Sequence, residues 1–246
     1  MGATWSAARR SEALPPHVKK VRLSSIASGA CRMNQVPADR EASAAHQRRT
    51  AQLHAWQGDF GNAYTDRNVV ESRTMVAFFQ KILGGLDIRR LLEVGCNRGH
   101  NLSALTDVLG PECRVVGVEP NSHAVELARA ATPELVIIEG SVFEMPFGNR
   151  DFDLVMTAGV LIHIALADLP AALTELYRVS GRYILSIEYF AEREQNVLYR
   201  GCDNLLWKRN FLKHWQEQYP DLVLVRSGYE ESWDRTHWWL LEKTSR

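Results

Sequence analysis

Only four cysteines occur in 246 residues, Cys31, Cys96, Cys113 and Cys202, and no two form a C-x-x-C pair. That spacing supports neither a zinc site nor a disulfide framework, and it suits a reducing compartment. No apolar run approaches the roughly 18–20 residues that a membrane span needs. The first residues lack the apolar core of a secretory signal. A soluble cytoplasmic protein without membrane contact is the expectation. Net charge is missing too, since 29 Lys and Arg balance 29 Asp and Glu. Nothing global therefore points to a polyanionic partner, and nucleic acid is not expected. The G-x-G-x-x-G turn is absent, which removes the usual pyrophosphate cradle. No Asn/Asp-Pro-Pro-Tyr/Phe motif, suited to a base amine, is present either.

The charge is balanced but uneven. Residues 1–50 hold nine Lys and Arg against three acids, a net of +6, which leaves −6 for the rest. This segment is rich in Ala, Ser and Arg, with Trp5 as its one aromatic, and offers little to bury. It reads as a disordered basic extension. It is either dispensable, with Met33 as the true start, or a basic tail or organellar-type leader.

With 46% hydrophobic residues, the remainder can bury a sizeable core. Residues 51–246 read as one domain, with 51–85 as an N-terminal lid segment. Aromatics, glycines and polar groups mix over 56–68 without periodicity, as in a surface loop or a lid over a site. Val70, Phe78, Phe79, Ile82 and Leu83 then recur at helical spacing until Gly84-Gly85. From there strands and helices alternate. Strands are expected at 91–94, 114–119, 135–138, 152–157 and 183–187, and helices at 100–109, 122–131 and 169–179. The strands are continuous apolar runs, as a parallel sheet covered on both faces requires. The fold class is therefore α/β, a doubly wound, mostly parallel sheet. A helix near 209–218 and an antiparallel hairpin from 221–226 and 237–242 close the chain.

The chemistry gathers at strand ends. Leu91-Leu92-Glu93-Val94 runs into Gly95-Cys96-Asn97-Arg98-Gly99, a G-x-x-x-G turn before a helix N-terminus. Residues without a Cβ admit a ligand close to the backbone. The missing third glycine favours a nucleoside ligand without phosphates. Glu119 closes the next strand, where a carboxylate can accept both ribose hydroxyls. Pro120 and Asn121 follow it. At the third strand end Ser141 can meet an adenine amino group while Val142 covers the ring. After the fourth strand, Ala158 and Gly159 border the reacting centre, and His163 is the best-placed general base. Its bland alternative is a structural histidine among apolar neighbours. Glu188, at the fifth strand end, is the second base candidate. Tyr189, Tyr199, Arg200 and Lys208 are the candidates for holding the acceptor.

Several phrases are specific enough to carry a resemblance. They are the 56–68 stretch, Gly95-Cys96-Asn97-Arg98-Gly99-His100-Asn101-Leu102, Gly159-Val160-Leu161-Ile162-His163-Ile164, Tyr183-Ile184-Leu185-Ser186-Ile187-Glu188-Tyr189, Tyr199-Arg200-Gly201, Lys208-Arg209 and Trp239-Leu240-Leu241-Glu242-Lys243. On these the chain resembles class I S-adenosylmethionine-dependent methyltransferases, and within them the pseudaminic acid biosynthesis-associated methylases. The resemblance implies a seven-stranded Rossmann-like sheet with a reversed last strand. It implies S-adenosylmethionine as cofactor and S-adenosylhomocysteine as product, with no metal. Trp56, Tyr64 and Arg67 would close over the methionine end, and Glu93, Cys96, Asn97, Gly99 and Asn101 would complete the cofactor pocket. The family's Asp pair before the last Trp is replaced here by Arg235-Thr236-His237-Trp238, and Asn210 stands after Lys208-Arg209 in place of Asp. The acceptor is thus expected to be a small polar metabolite, sugar-like or an amino-acid-like natural-product intermediate. A carboxylate acceptor, needing no base, is a second enzymatic reading. A non-catalytic cofactor-binding regulator or partner subunit is the rival from another class. The oligomeric state stays open, a homodimer being one option.

Overall fold

The computed structural model describes residues 50–244. The expected basic extension, 1–50, lies outside the described residues except for Thr50.

Seven strands make the main sheet: β1 (Arg90–Val94), β2 (Arg114–Glu119), β3 (Val136–Glu139), β4 (Phe152–Ala158), β5 (Ser180–Glu188), β8 (Leu222–Glu230) and β9 (Thr236–Lys243). Their order is β3-β2-β1-β4-β5-β9-β8. The first five pair in parallel, with Leu92 opposite Val116 on one side and Val155 on the other. β9 runs antiparallel to both β5 and β8, so one strand is reversed. This is the doubly wound, Rossmann-like α/β arrangement that the strand pattern predicts.

Alternation along the strands explains the two layers. Leu91, Leu154, Met156, Leu185 and Leu240 point to one face, and Leu92, Val155, Ile184 and Leu241 to the other. Three helices cover the first face: α3 (Arg73–Leu83), α4 (His100–Leu109) and α5 (Ser122–Ala131). On the second lie α6 (Leu169–Val179) and α7 (Phe211–Gln218). Fully burying each of these aliphatic side chains contributes about 1.5–3 kcal/mol.

Two regions differ from expectation. Residues 51–67 form two short helices, α1 (Ala51–Gln57) and α2 (Asp59–Arg67), that share Gly58 as a hinge cap. The Thr50 hydroxyl caps α1 by accepting from Leu53 N. The buried positions of α2 are Gly61 and Thr65, and that of α1 is Gln52. No apolar stripe existed to betray them as helices. Between β5 and α7, the chain also makes a separate antiparallel hairpin, β6 (Gln195–Tyr199) and β7 (Cys202–Lys208). Its outer positions are Gln195, Asn196, Asp203 and Asn204, all exposed, so it lacks a strand's apolar signature.

Candidate active site

The strand order reverses between β1 and β4, and open α/β sheets bind ligands at such a point, outside the strands' carboxyl ends. A cavity of about 710 Å³ lies there, within the range of small-molecule sites. Val94, Gly95 and Cys96 line it from β1, Glu119 and Pro120 from β2, and Ala158 and Gly159 from β4.

The turn after β1 is shaped for close approach. Gly95 has φ +78°, and a Cβ there would lie 2.4 Å from Val160 Cγ2. Gly95 N and Cys96 N both donate to Val118 O, at 2.7 and 3.1 Å. Asn97 N and Asn121 N each donate to one Glu119 oxygen, at 2.8 and 2.9 Å. Burial nevertheless pushes the Glu119 carboxyl up to about 7, against those two donors. Each oxygen keeps a lone pair for a further donor.

Helices α1 and α2 roof the cavity through polar contacts. Asn121 Nδ2 donates to Trp56 O and to Asn62 Oδ1, both at 2.9 Å. Asn97 Nδ2 donates to Thr65 Oγ1 at 2.9 Å. Gln52 Nε2 reaches the Asn204 carbonyl of β7 at 3.1 Å. Trp56 and Tyr64 face inward with ring centroids 5.1 Å apart. Burial raises the Tyr64 hydroxyl to about 12.

Three lining side chains each present a buried polar atom without a partner: Trp56 Nε1, Asn97 Oδ1 and His100 Nε2. Such atoms are costly unless something satisfies them. Behind the β1 turn, Glu93 Oε1 accepts from Asn101 Nδ2 at 2.7 Å while Oε2 has no partner. Burial drives the Glu93 carboxyl up to about 8, offset by Asn101 and reinforced by the Glu119 charge.

His163 also lines the cavity, with its ring centroid 4.5 Å from that of Trp56. Its Nδ1 lies 2.6 Å from Leu205 O. A carbonyl only accepts, so Nδ1 carries the proton and Nε2 keeps the lone pair. Burial lowers its pKa to about 4, and the imidazole stays neutral at pH 7.

Other candidates lie elsewhere. Glu188 is fully buried behind the loop after β4 and off the cavity wall. It accepts from Thr157 Oγ1, Leu161 N and Ile162 N at 2.9, 3.1 and 3.2 Å, and from Val160 N at 3.4 Å. Burial lifts it to about 7, yet those four donors consume it as the clamp of that loop. Arg67 is exposed, because the helical phase that turns Tyr64 and Asn68 to the cavity turns Arg67 to solvent. Its guanidinium lies 5.4 Å from the Tyr64 ring. Tyr199 packs behind His163, 5.5 Å ring to ring, and Arg200 is exposed over Tyr199. Lys208 lies over Tyr189, and neither lines the cavity. Gly99 and Asn121 support the walls from outside, and Ser141 turns its hydroxyl to Phe143 N at 3.3 Å, while Val142 lines the cavity.

Several lining residues carried no signal in the sequence. Asn68 and His100 were within reach, as the helical neighbour of Tyr64 and the residue after Gly99. Ser232, Trp233 and Asp234 were not, because only the reversed strand brings the β8–β9 tip to the cavity. Among the described residues, no group of three or more His, Cys, Asp or Glu could hold a metal ion. No described helix is long and apolar enough to cross a membrane.

Residues 91–181 match the family described as a methyltransferase domain. That match covers 91 of the 246 residues and makes this stretch similar to a methyltransferase domain. An uncharacterized methyltransferase of Schizosaccharomyces pombe is 34% identical over 108 residues, covering 39% of this chain and 38% of its own. A probable S-adenosylmethionine-dependent methyltransferase of Mycolicibacterium smegmatis is 31% identical, covering 37% and 34%. The matches thus span under two fifths of either relative's length. Among solved structures, a Burkholderia thailandensis 1,6-didemethyltoxoflavin-N1-methyltransferase, with its acceptor and S-adenosylhomocysteine bound, aligns at TM-score 0.59 and 16% identity. It covers 85% of this chain and 94% of that one. An Aquifex aeolicus SAM-dependent methyltransferase aligns at 0.58 and 15%, covering 74% and 98%. At these identities the structural likeness speaks for the fold.

Proposed function

We propose that this chain transfers a methyl group from S-adenosylmethionine to a small polar acceptor. The observation that carries the reading is Glu119: a buried carboxylate at the end of β2, fixed by two backbone N–H groups, on the cavity wall at the sheet's switch point. Its remaining lone pairs suit a ribose diol. Val142 and Phe143 would frame the adenine. Trp56 Nε1, Asn97 Oδ1 and His100 Nε2 offer one donor and two acceptor positions for the amino-acid end.

S-adenosylmethionine supplies an electrophilic methyl carbon when bound. The chain's own part is positioning, which suffices for an in-line displacement. The α1–α2 roof excludes water from the cavity. His163, neutral and held by Leu205, accepts a hydrogen bond from the acceptor through Nε2. Glu188 acts at one remove, as a positioning residue that clamps the loop carrying Val160 to Ile162. The resemblance to the pseudaminic acid-associated branch supports a sugar-like acceptor, and the departures at Asn210 and Arg235-Thr236-His237 an amino-acid-like one.

Isothermal titration with S-adenosylhomocysteine tests the cofactor reading. The unmodified chain is expected to bind, and Glu119→Ala to weaken binding roughly 10- to 100-fold, as for a lost pair of hydrogen bonds to a charged group. No binding by the unmodified chain, or unchanged binding by the variant, sinks it.

A further inference from the structure

The cavity wall has a one-sided charge. No Lys or Arg among the described residues lines it, and its acids are Glu119 and Asp234. Burial lowers the pKa of both lining histidines, so neither contributes a cation at neutral pH. The carboxylates differ in what they have to spare. Glu119 is held by two backbone donors at the cofactor end. Asp234 stands on the β8–β9 tip, and no hydrogen bond or ion pair among the described residues takes up its carboxylate.

The tip is a fixed support. Asp234 and Arg235 both have positive φ, +50° and +56°, and Thr236 N closes the turn on Trp233 O at 3.1 Å. The Thr236 hydroxyl donates to the same carbonyl at 2.9 Å. The Trp233 ring anchors the turn against Phe78 and Phe79 at 4.7 and 5.7 Å. Trp233 also lines the cavity, so a free carboxylate and an indole stand side by side at its edge. A carboxylate beside an aromatic face is a good receptor for an organic cation. An anion brought there would meet like charge, which the neighbouring Arg235 guanidinium, off the cavity wall, offsets only in part.

Resting on the methyltransferase reading, we propose that Asp234 is a specificity-determining residue, and that the acceptor carries a protonated amine held by Asp234 and Trp233 at the hairpin tip. Acceptors bearing a carboxylate or phosphate are rejected at the same place. Arg200, a candidate for holding the acceptor in the sequence, takes no part in this. That side chain is exposed and off the cavity wall.

The test measures S-adenosylhomocysteine formed by the full chain from S-adenosylmethionine with three size-matched acceptor sets. One set comprises amino sugars and amino alcohols, one their uncharged hydroxyl or N-acetyl counterparts, and one the corresponding sugar acids. Turnover is expected with the amines, and kcat/KM for them falls roughly 10- to 100-fold in Asp234→Asn, mostly through KM. Asn tolerates the left-handed backbone, so that variant keeps the turn. Binding of S-adenosylhomocysteine by Asp234→Asn is expected to stay within twofold. Preference for the acids, an unchanged kcat/KM in the variant, or no turnover with any set overturns the assignment. So does weaker S-adenosylhomocysteine binding in the variant, which would give Asp234 to the cofactor's ammonium instead. Failure of the unmodified chain to bind S-adenosylhomocysteine sinks the methyltransferase reading itself, and so separates the two.

Discussion

His163 donates through Nδ1 to the Leu205 carbonyl, and that bond decides what its other nitrogen can do. Nε2 is left as an acceptor toward the cavity, but burial has taken most of its basicity, with the pKa near 4. A group so weakly basic orients an acceptor better than it removes a proton. The kinetics should show this. Between pH 5.5 and 7.5, kcat is expected to have no inflection from a histidine of ordinary pKa. His163→Leu is expected to lose roughly 10-fold in kcat, short of the ~10²–10⁴ attributable to a general base. A rise in kcat through pH 6.5 that vanishes in His163→Leu would restore His163 as the base. Asp234 is the opposite case: exposed, without a hydrogen bond or ion pair among the described residues, and placed by the turn beneath it.

The roof shows how an element can be essential and yet hidden in the sequence. β1, β2, β4 and β5 were legible because both of their faces are buried, which leaves unbroken apolar runs. The Gly95 turn and Glu119 were legible because their spacing follows from the strand–turn–helix unit. α1 and α2 were not, since they dock through Gln52, Gly61, Thr65 and Asn62 rather than through leucines. The β6–β7 hairpin escaped for the same reason. The acceptor side of the cavity escaped because it depends on a reversed strand some 140 residues beyond Gly95. The docking of α2 can be tested at one atom. A Cβ on Gly61 would lie 1.8 Å from Trp56 O and 2.7 Å from Asn121 Nδ2. Gly61→Ala must therefore push α2 away from α1 and α5. A loss of about 1–3 kcal/mol in urea unfolding is expected, as for an overpacked contact. Weaker S-adenosylhomocysteine binding should accompany it, because Trp56 and Tyr64 move with the roof. A variant with wild-type stability and binding would show that the roof yields without cost.

A parallel sheet that builds its site at the strands' carboxyl ends concentrates carboxyl groups there, and the whole molecule bears the consequence. Glu93 in β1 and Glu119 and Glu188 at the ends of β2 and β5 are all buried, and burial raises them to about 8, 7 and 7. In the unfolded chain each ionises near its ordinary pKa of about 4.3. The folded state therefore holds protons that the unfolded state has released, and stability falls as pH rises through the folded values. The effect is read between pH 6.5 and 8, against a smaller opposing one. An unfolded histidine is still about half protonated at pH 6.5, so the four histidines with lowered pKa, His163 among them, oppose the fall by up to about 1.5 kcal/mol. Lys243, lowered to about 8, begins to oppose the fall as pH nears that value. Three such carboxyl groups lose about 3 kcal/mol over this window, and with the opposing groups the net loss is on the order of 1–2 kcal/mol. For a domain of this size that is a fall in Tm of roughly 3–6 °C. Calorimetry at constant ionic strength should find the fall, and Glu93→Gln, which copies the protonated acid, should raise Tm at pH 8 and make the slope shallower. A Tm that is flat or rises from pH 6.5 to 8 would mean that these carboxylates are solvated or paired in the folded chain. Saturating S-adenosylhomocysteine should also flatten the slope, because ribose hydroxyls donating to Glu119 favour its charged form. If it flattens in the unmodified chain and not in Glu119→Gln, the stability of the fold and the occupancy of the site are linked through that one carboxylate.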